Sequence, residues 1–365
     1  MVRSGPVADV KPFRAVRYGE AAGPLESLVA PPYDVIPSPQ RDELAARNPH
    51  NVVHLTLPDD ESEAARLWEA WRGDGTLVTE DEPGFWWLSQ DYVGPDGVAR
   101  TREGLFAALG LEPYDHRVVL PHERTHRGPK EGRLRLMRAL DAQVEPLFFL
   151  YEGAPPAQRP DRAPDIEVEG VRLWRLPPGE IGEAFAERQL LIADGHHRYE
   201  TALAYHDEVG TPGSGFVLAV LVSLDDPGVM IFPTHRIFDH EPSERLTAEE
   251  QLPDPEAALH ALEEFPSDRA AAVVYRDGQA ELAADGEGVL DVGLVDRLGH
   301  DGISYTPDWR EAVRAVDDGE AAVAVLMRPT RIEDVFAVAQ RGETMPQKST
   351  YFYPKLLSGL LFLPL

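Results

Sequence analysis

The chain has 365 residues, 43% of them apolar, and a formal net charge of -28. It contains no cysteine, which excludes disulfides, thiolate metal sites and cysteine nucleophiles, and it has no apolar run of the roughly eighteen residues that a membrane span needs. A duplex DNA binder presents a basic face, so this acidity argues against nucleic acid as a partner.

In chain order, Met1 to Pro6 lack the apolar core of a secretory signal, so a cytoplasmic protein is expected. Residues 13–18 read as a strand. Residues 29–36 form an extended loop around Pro31 and Pro32, because a proline biases its predecessor away from helix. Ser38 and Pro39 start a helix over 40–47. Residues 51–57 read as a strand, and 61–72 as an amphipathic helix with Leu67, Ala70 and Trp71 at helical spacing. The turn Gly94-Pro95-Asp96-Gly97 joins 85–93 to 98–109 as a hairpin. A helix over 131–141 and a buried strand over 146–151 follow, then a loop over 154–165. Residues 172–176 read as a strand and 181–188 as a helix. The apolar stretch 190–193 leads through Asp194-Gly195-His196-His197-Arg198 into a helix over 199–209. Residues 216–224 are a near-continuous apolar strand. After Pro242 the sequence turns acidic and alanine-rich, with a hairpin at Asp277-Gly278, helices over 309–316 and 332–340, and a strand over 321–327. Intermixed strands and helices predict an α/β or α+β protein with a mixed sheet. Three segments are expected: 1–115, 116–241 and 242–365.

The turn Asp194 to Arg198 is the densest chemistry in the chain. A helix start presents unpaired N–H groups and the positive end of the helix dipole. Gly195 lets backbone approach a ligand closely. Arg198 suits bidentate phosphate contact, Asp194 suits Mg²⁺ or a hydroxyl, His196 a phosphate, and His197 acid–base work. The plainer alternative is a helix-capping aspartate with structurally satisfied histidines.

A second cluster, Pro121-His122-Glu123-Arg124-Thr125, lies in a locally basic segment. There Arg117, Arg124, Arg127, Lys130, Arg133, Arg135 and Arg138 face only Glu123 and Glu131. A carboxylate among cations stays ionised, which suits Glu123 as a base. Arg127, Lys130 and Arg133 suit phosphate neutralisation, and the alternative is a solvated charged helix. His235 and Arg236, in Pro233-Thr234-His235-Arg236, are further phosphate-ligand candidates, or part of a solvent loop. Tyr33 and Asp34, after Pro31-Pro32, are either substrate-orienting or a structural turn. The chain has four lysines, and two of them flank the aromatics of residues 348–355. Lys348, Ser349 and Tyr351 are substrate-binding candidates there, against a strap that only packs aromatics on the core. The chain lacks the P-loop, G-x-G-x-x-G and H-E-x-x-H patterns.

Seven segments in order resemble a bacterial and archaeal family known as domain of unknown function one thousand and fifteen. They are Phe13-Arg14-Ala15-Val16-Arg17-Tyr18, Ala30-Pro31-Pro32-Tyr33-Asp34-Val35-Ile36, Asn48-Pro49-His50-Asn51 and Pro121-His122-Glu123-Arg124-Thr125, followed by the segments around Asp194-Gly195-His196-His197-Arg198, Pro233-Thr234-His235-Arg236 and Met345 to Phe352. The resemblance spans essentially the whole chain. Further out, the strand–turn–helix at Asp194 is similar to the phosphate-binding motif of the ParB/sulfiredoxin superfamily, which includes partition CTPases, sulfiredoxin and free-serine kinases. That resemblance implies a ParB/sulfiredoxin-like core elaborated by N- and C-terminal α/β segments. It also implies Glu123 as base, with Asp194, His196, His197 and Arg198 holding phosphates and metal. Sulfiredoxin's cysteine and the partition proteins' basic DNA-binding helices are missing from this chain. The reading that remains is a phosphotransferase moving a phosphoryl group from ATP or pyrophosphate, with Mg²⁺, to a small hydroxylated metabolite, free L-serine foremost. A nucleotide-binding switch and a scaffold protein are the alternatives. No nucleic acid or membrane partner is expected.

Overall fold

Apolar runs without polar alternation belong in the middle of a sheet covered on both faces. In the computed structural model, which describes residues 7–123, 127–287 and 290–365, Leu190–Asp194, Leu147–Tyr151 and Phe216–Ser223 lie side by side within a nine-stranded sheet. Val119–Leu120 flanks them on one side. On the other come Ala99–Gly110, Phe85–Val93, Val171–Leu176 and Ile166–Val168 in that order, with Val10–Lys11 added onto Ala99–Gly110. Leu190–Asp194 runs parallel to Val119–Leu120, and Phe216–Ser223 parallel to Leu147–Tyr151, while the other pairs are antiparallel. The sheet is therefore mixed, as expected, and it draws strands from both 1–115 and 116–241.

Side chains alternate across a strand. Trp86, Phe106, Phe148, Leu191 and Val220 populate one face, and Phe85, Trp87, Leu105, Phe149 and Ile192 the other. The helix His196–Val209 packs Tyr199, Ala202 and Tyr205 onto that second face. The first face continues through Phe352 into Phe238, Val274 and Val325 of a second sheet. This six-stranded sheet is antiparallel throughout, in the order Ala248–Leu252, Gln279–Glu287, Arg269–Arg276, Val323–Leu326, His235–Phe238, Ile303–Thr306. The chain then returns to its beginning. Ser358 and Phe362 bridge to Ala30 and Val16, and the Phe362 ring sits edge-on to Tyr18 and Trp68 at 5.8 and 5.6 Å. The strap at 345–355 is thereby anchored at its far end.

Three expectations are corrected. Residues 51–57 are not a strand. Asn51 Oδ1 accepts the Val53 N–H at 3.0 Å and turns the chain into the short helix Val53–Thr56, whose Val53 and Leu55 are fully buried. Burial overrides the β preference of Val52 and Val53. The helix expected over 181–188 shrinks to a 3₁₀ turn, Gly182–Phe185. Val10 crosses so close there that a Cβ on Gly182 would run into its carbonyl oxygen. The strand expected over 13–18 contracts to Val16–Tyr18, with Phe13 in an isolated bridge to Gly84. The helix Glu61–Gly73 forms, but its buried face is Ala64, Trp68 and Trp71, and Ala70 is exposed. Among the described residues, no helix is long and apolar enough to cross a membrane.

Candidate active site

The strand–turn–helix that carries the sequence motif opens a cleft of about 590 Å³. Asp194 ends its strand, Gly195 takes φ +100°, and the helix begins at His196 with no side chain capping its first turn. Position 195 requires glycine. Besides the left-handed backbone, a Cβ would stand 3.2 Å from the Arg198 guanidinium carbon and from the Leu147 side chain. The first N–H groups of a helix carry its positive dipole end, so this wall suits an anion.

The floor is a compensated charge cluster. Arg198 is buried, donates through Nη2 to Asp194 Oδ2 at 2.7 Å, and donates through Nη1 to the Pro146 carbonyl. Lys355 donates to Asp194 Oδ1. Burial pushes the Asp194 carboxyl up, but Lys355 and Arg198 outweigh it and hold the group well below the usual carboxylate range. Both oxygens of Asp194 are thus committed, and among the described residues no three His, Asp or Glu side chains are placed to hold an ion. Asp194, expected as a Mg²⁺ ligand, is here the counter-ion of Arg198 and Lys355. The residues present do not fit a protein-held metal site, and no step is assigned to one.

Behind the turn, His122 is fully buried. Its Nδ1 donates to the Ile192 carbonyl at 2.8 Å, so the neutral ring accepts at Nε2 from the Thr350 hydroxyl at 2.9 Å. Burial pushes its pKa down to about 4. The His122 N–H donates to His196 Nε2 at 3.3 Å, and the two rings meet edge to face at 4.6 Å. Burial also holds His196 well below its ordinary range, so its single ring proton sits on Nδ1. His196 therefore stays neutral at pH 7, while His197 lines the cleft beside it.

Glu123 enters from the opposite direction. An isolated bridge joins it to Met345, and its Oε1 accepts the Lys348 N–H at 3.1 Å. Burial raises its carboxyl pKa, and Lys348 opposes the rise without cancelling it. Lys348 adopts φ +56°. Of the lining cations, Arg198 and Lys355 are committed to Asp194, and Lys348 is the solvent-exposed one. Tyr33 and Asp34 form another wall. The Tyr33 N–H donates to Glu145 Oε1 at 2.9 Å. Asp34 is open to solvent, yet its carboxyl is raised, by desolvation first and by the Asp194 charge second. Tyr351 and Lys355 from the strap complete that side.

The cleft therefore gathers Tyr33, Asp34, Glu123, Asp194, Gly195, His196, His197, Arg198, Lys348 and Tyr351 from the sequence candidates. Lys130, Arg133, His235, Arg236 and Ser349 are not among its lining residues. Lys130 pairs with Glu200. Arg133 donates to the Thr56 carbonyl and to Glu145, and stacks on the Tyr33 ring at 3.7 Å. The side chain of Arg127 lies outside the described residues. His235 is buried and accepts the Met327 N–H on Nδ1 at 3.0 Å, and burial pushes its pKa down to about 4. Arg236 is buried too, and donates to the carbonyls of Thr234 and Lys348. It braces the strap from behind. The Ser349 hydroxyl turns away to the Pro346 carbonyl.

Thr234, Thr350 and Lys355 lie inside segments the sequence marked as candidates but were given no individual role, and the run Ser304-Tyr305-Thr306-Pro307 was missed; all of them line the cleft. The scarcity of lysine was a signal for Lys355. The hydroxyls at 304–306 gave none.

An α/β protein with an anion-suited cleft at a strand–turn–helix is the class that fold and site define. Residues 10–300 match the family model described as "Protein of unknown function (DUF1015)", and the chain belongs to that family. No curated protein matches the chain. Among solved structures, it is similar to a free serine kinase in complex with AMP, at 16% identity and TM-score 0.41 over 68% of this chain and 86% of that one. It is also similar to a conserved hypothetical protein from Pyrococcus furiosus, at 18% identity and TM-score 0.39 over 68% and 90% of the two chains. A third is SbnI with C-terminal truncation from Staphylococcus aureus, at 14% identity and TM-score 0.40 over 70% and 86%.

Proposed function

We propose that the protein is a small-molecule phosphotransferase whose reaction takes place in this cleft. The observation that carries the reading is the convergence of a carboxylate of raised pKa, Glu123, with an uncapped helix start and Lys348 in one cavity. Phosphoryl transfer needs positioning and charge stabilisation more than covalent chemistry. The helix start at Gly195 to His197, with Lys348, holds the transferring phosphoryl group of ATP or pyrophosphate. Glu123 takes the proton of the acceptor hydroxyl as its oxygen bonds to phosphorus and the bond to the leaving ADP (from ATP) or phosphate (from pyrophosphate) breaks. His197 protonates or contacts that leaving group. Asp194 keeps Lys355 and Arg198 in place beneath the site. Tyr33, Asp34 and Tyr351 bound the acceptor, of which free L-serine is the first to try.

The test is incubation with Mg²⁺, L-serine and either donor, with mass-spectrometric detection of phosphoserine. Phosphoserine made by the wild type and lost in Glu123→Gln and His197→Ala supports the reading. Failure of the chain to bind any phosphate compound defeats it.

A further inference from the structure

One wall of the cleft is made of four consecutive residues, Ser304, Tyr305, Thr306 and Pro307. Side chains along a strand alternate between faces, so a wall of consecutive residues is met along the strand's edge. Ile303–Thr306 is the terminal strand of the second sheet and, among the described residues, pairs only with His235–Phe238. The Asp239 N–H donates to the Gly302 carbonyl at 3.0 Å, which makes 239 and 302 a hydrogen-bonded pair in this antiparallel register. Hydrogen-bonded pairs alternate. The main-chain groups of Ser304 and Thr306 therefore point at the partner strand, and those of Tyr305 point out from the open edge. Tyr305 and Glu123 line the same cleft. A cavity of about 590 Å³ takes a small molecule and not a protein segment.

We propose that the acceptor binds this edge by main-chain pairing with the N–H and C=O of Tyr305. The acceptor class is then a small hydroxylated compound carrying an amide, such as a capped hydroxy-amino acid, in preference to a free amino acid. The inference rests on the phosphotransferase reading for the role of Glu123. An amide supplies one donor and one acceptor, matching what a single edge residue offers. Its hydroxyl reaches Glu123, gives up its proton there, and forms the new oxygen–phosphorus bond while the donor's terminal bond breaks to release ADP from ATP or phosphate from pyrophosphate.

The experiment titrates the full chain with N-acetyl-L-serinamide and with L-serine by calorimetry, in the wild type, Tyr305→Pro and Tyr305→Ala. Proline deletes the outward N–H and is tolerated on edge strands, whereas alanine removes the ring and keeps the N–H. The amide compound should bind the wild type about tenfold more tightly than serine, the scale of one or two net hydrogen bonds. That advantage should vanish in Tyr305→Pro and persist in Tyr305→Ala. Hydrogen exchange on the wild type reads the same contact without a variant, because exchange at Tyr305 should slow when the amide compound is added. No binding of the amide compound, an advantage untouched by proline, or unslowed exchange overturns the inference. A proline-sensitive advantage without phosphoryl transfer from any donor defeats the phosphotransferase reading and leaves the edge site standing.

Discussion

The turn at Asp194 to Arg198 and the helix Arg127–Leu140 are both dense in charge, and the fold uses them in opposite ways. On the helix, Lys130, Arg133, Arg135 and Arg138 each meet a carboxylate from a neighbouring element, Glu200, Glu145, Glu61 and Glu208. Their charge goes into pairing the helix with its neighbours in the fold. At the turn, two cations also meet a carboxylate, but the pairing lies beneath a cleft, and the strap brings Lys348 and Glu123 over it. A run of like charges in sequence thus marks an outer face here. The site is where charges from distant segments converge.

The largest separation between the two regions should appear in catalysis. Glu123→Gln should lower phosphoryl transfer about 10²–10⁴-fold, the usual worth of a general base, while leaving the donor's affinity intact. Arg138→Ala should leave the rate unchanged, and an equal loss from both would erase the distinction. Stability should separate them next. Asp194→Ala strands Arg198 and Lys355 without their counter-ion, which costs about 3–5 kcal/mol for a buried pair broken on one side, read from the denaturant midpoint. Arg135→Ala breaks a half-exposed surface pair and should move the midpoint within experimental scatter. Anion affinity comes third. Lys348→Met should weaken binding of a phosphate donor about tenfold, the scale of one charge-assisted contact, and Arg138→Ala should not.

The remaining effects are in pH. The pKa values of His122 and His235 are pushed by burial to about 4, below the ordinary 6.5. Between those values the unfolded chain binds more protons than the folded one, so stability is present above pH about 6.5 and lost as pH falls toward about 4. Thermal unfolding followed over that window should show the decline, and a flat profile would contradict the buried neutral histidines. Glu123 works in the opposite sense. Its folded pKa is raised, so its ionisation costs stability as pH rises, and Glu123→Gln should be no less stable than the wild type at neutral pH. The rate should rise with pH through a value above the ordinary carboxylate range.

How much of this was legible in the sequence follows from how far apart the contributing residues lie. The strand–turn–helix at 190–209 was readable because an apolar run, a glycine and its polar neighbours are consecutive. The hairpins at 94–97 and 277–278 were readable for the same reason. The pairing of Glu123 with Lys348 was only half legible. Each residue stood out, but 225 positions separate them, and nothing in either segment states the bridge to Met345. His235 and Arg236 looked like ligands because a histidine–arginine pair is costly in a core. The structure meets that cost with the Met327 N–H and the Thr234 and Lys348 carbonyls. The wall at 304–307 left no mark, because its contribution comes from main-chain groups that every residue type carries. The helix at Val53–Thr56 was misread because its burial is a property of the assembled core.

The most direct measurement is the dependence of donor consumption on the acceptor. The full chain is given Mg²⁺ and ATP or pyrophosphate, with and without a hydroxylated acceptor, and ³¹P spectra are followed over time. The account predicts slow consumption alone, faster consumption with acceptor, a new phosphomonoester resonance, and loss of that resonance in Glu123→Gln. Nucleotide turnover to inorganic phosphate at a rate that no acceptor changes would contradict it and assign the cleft to a nucleotide switch.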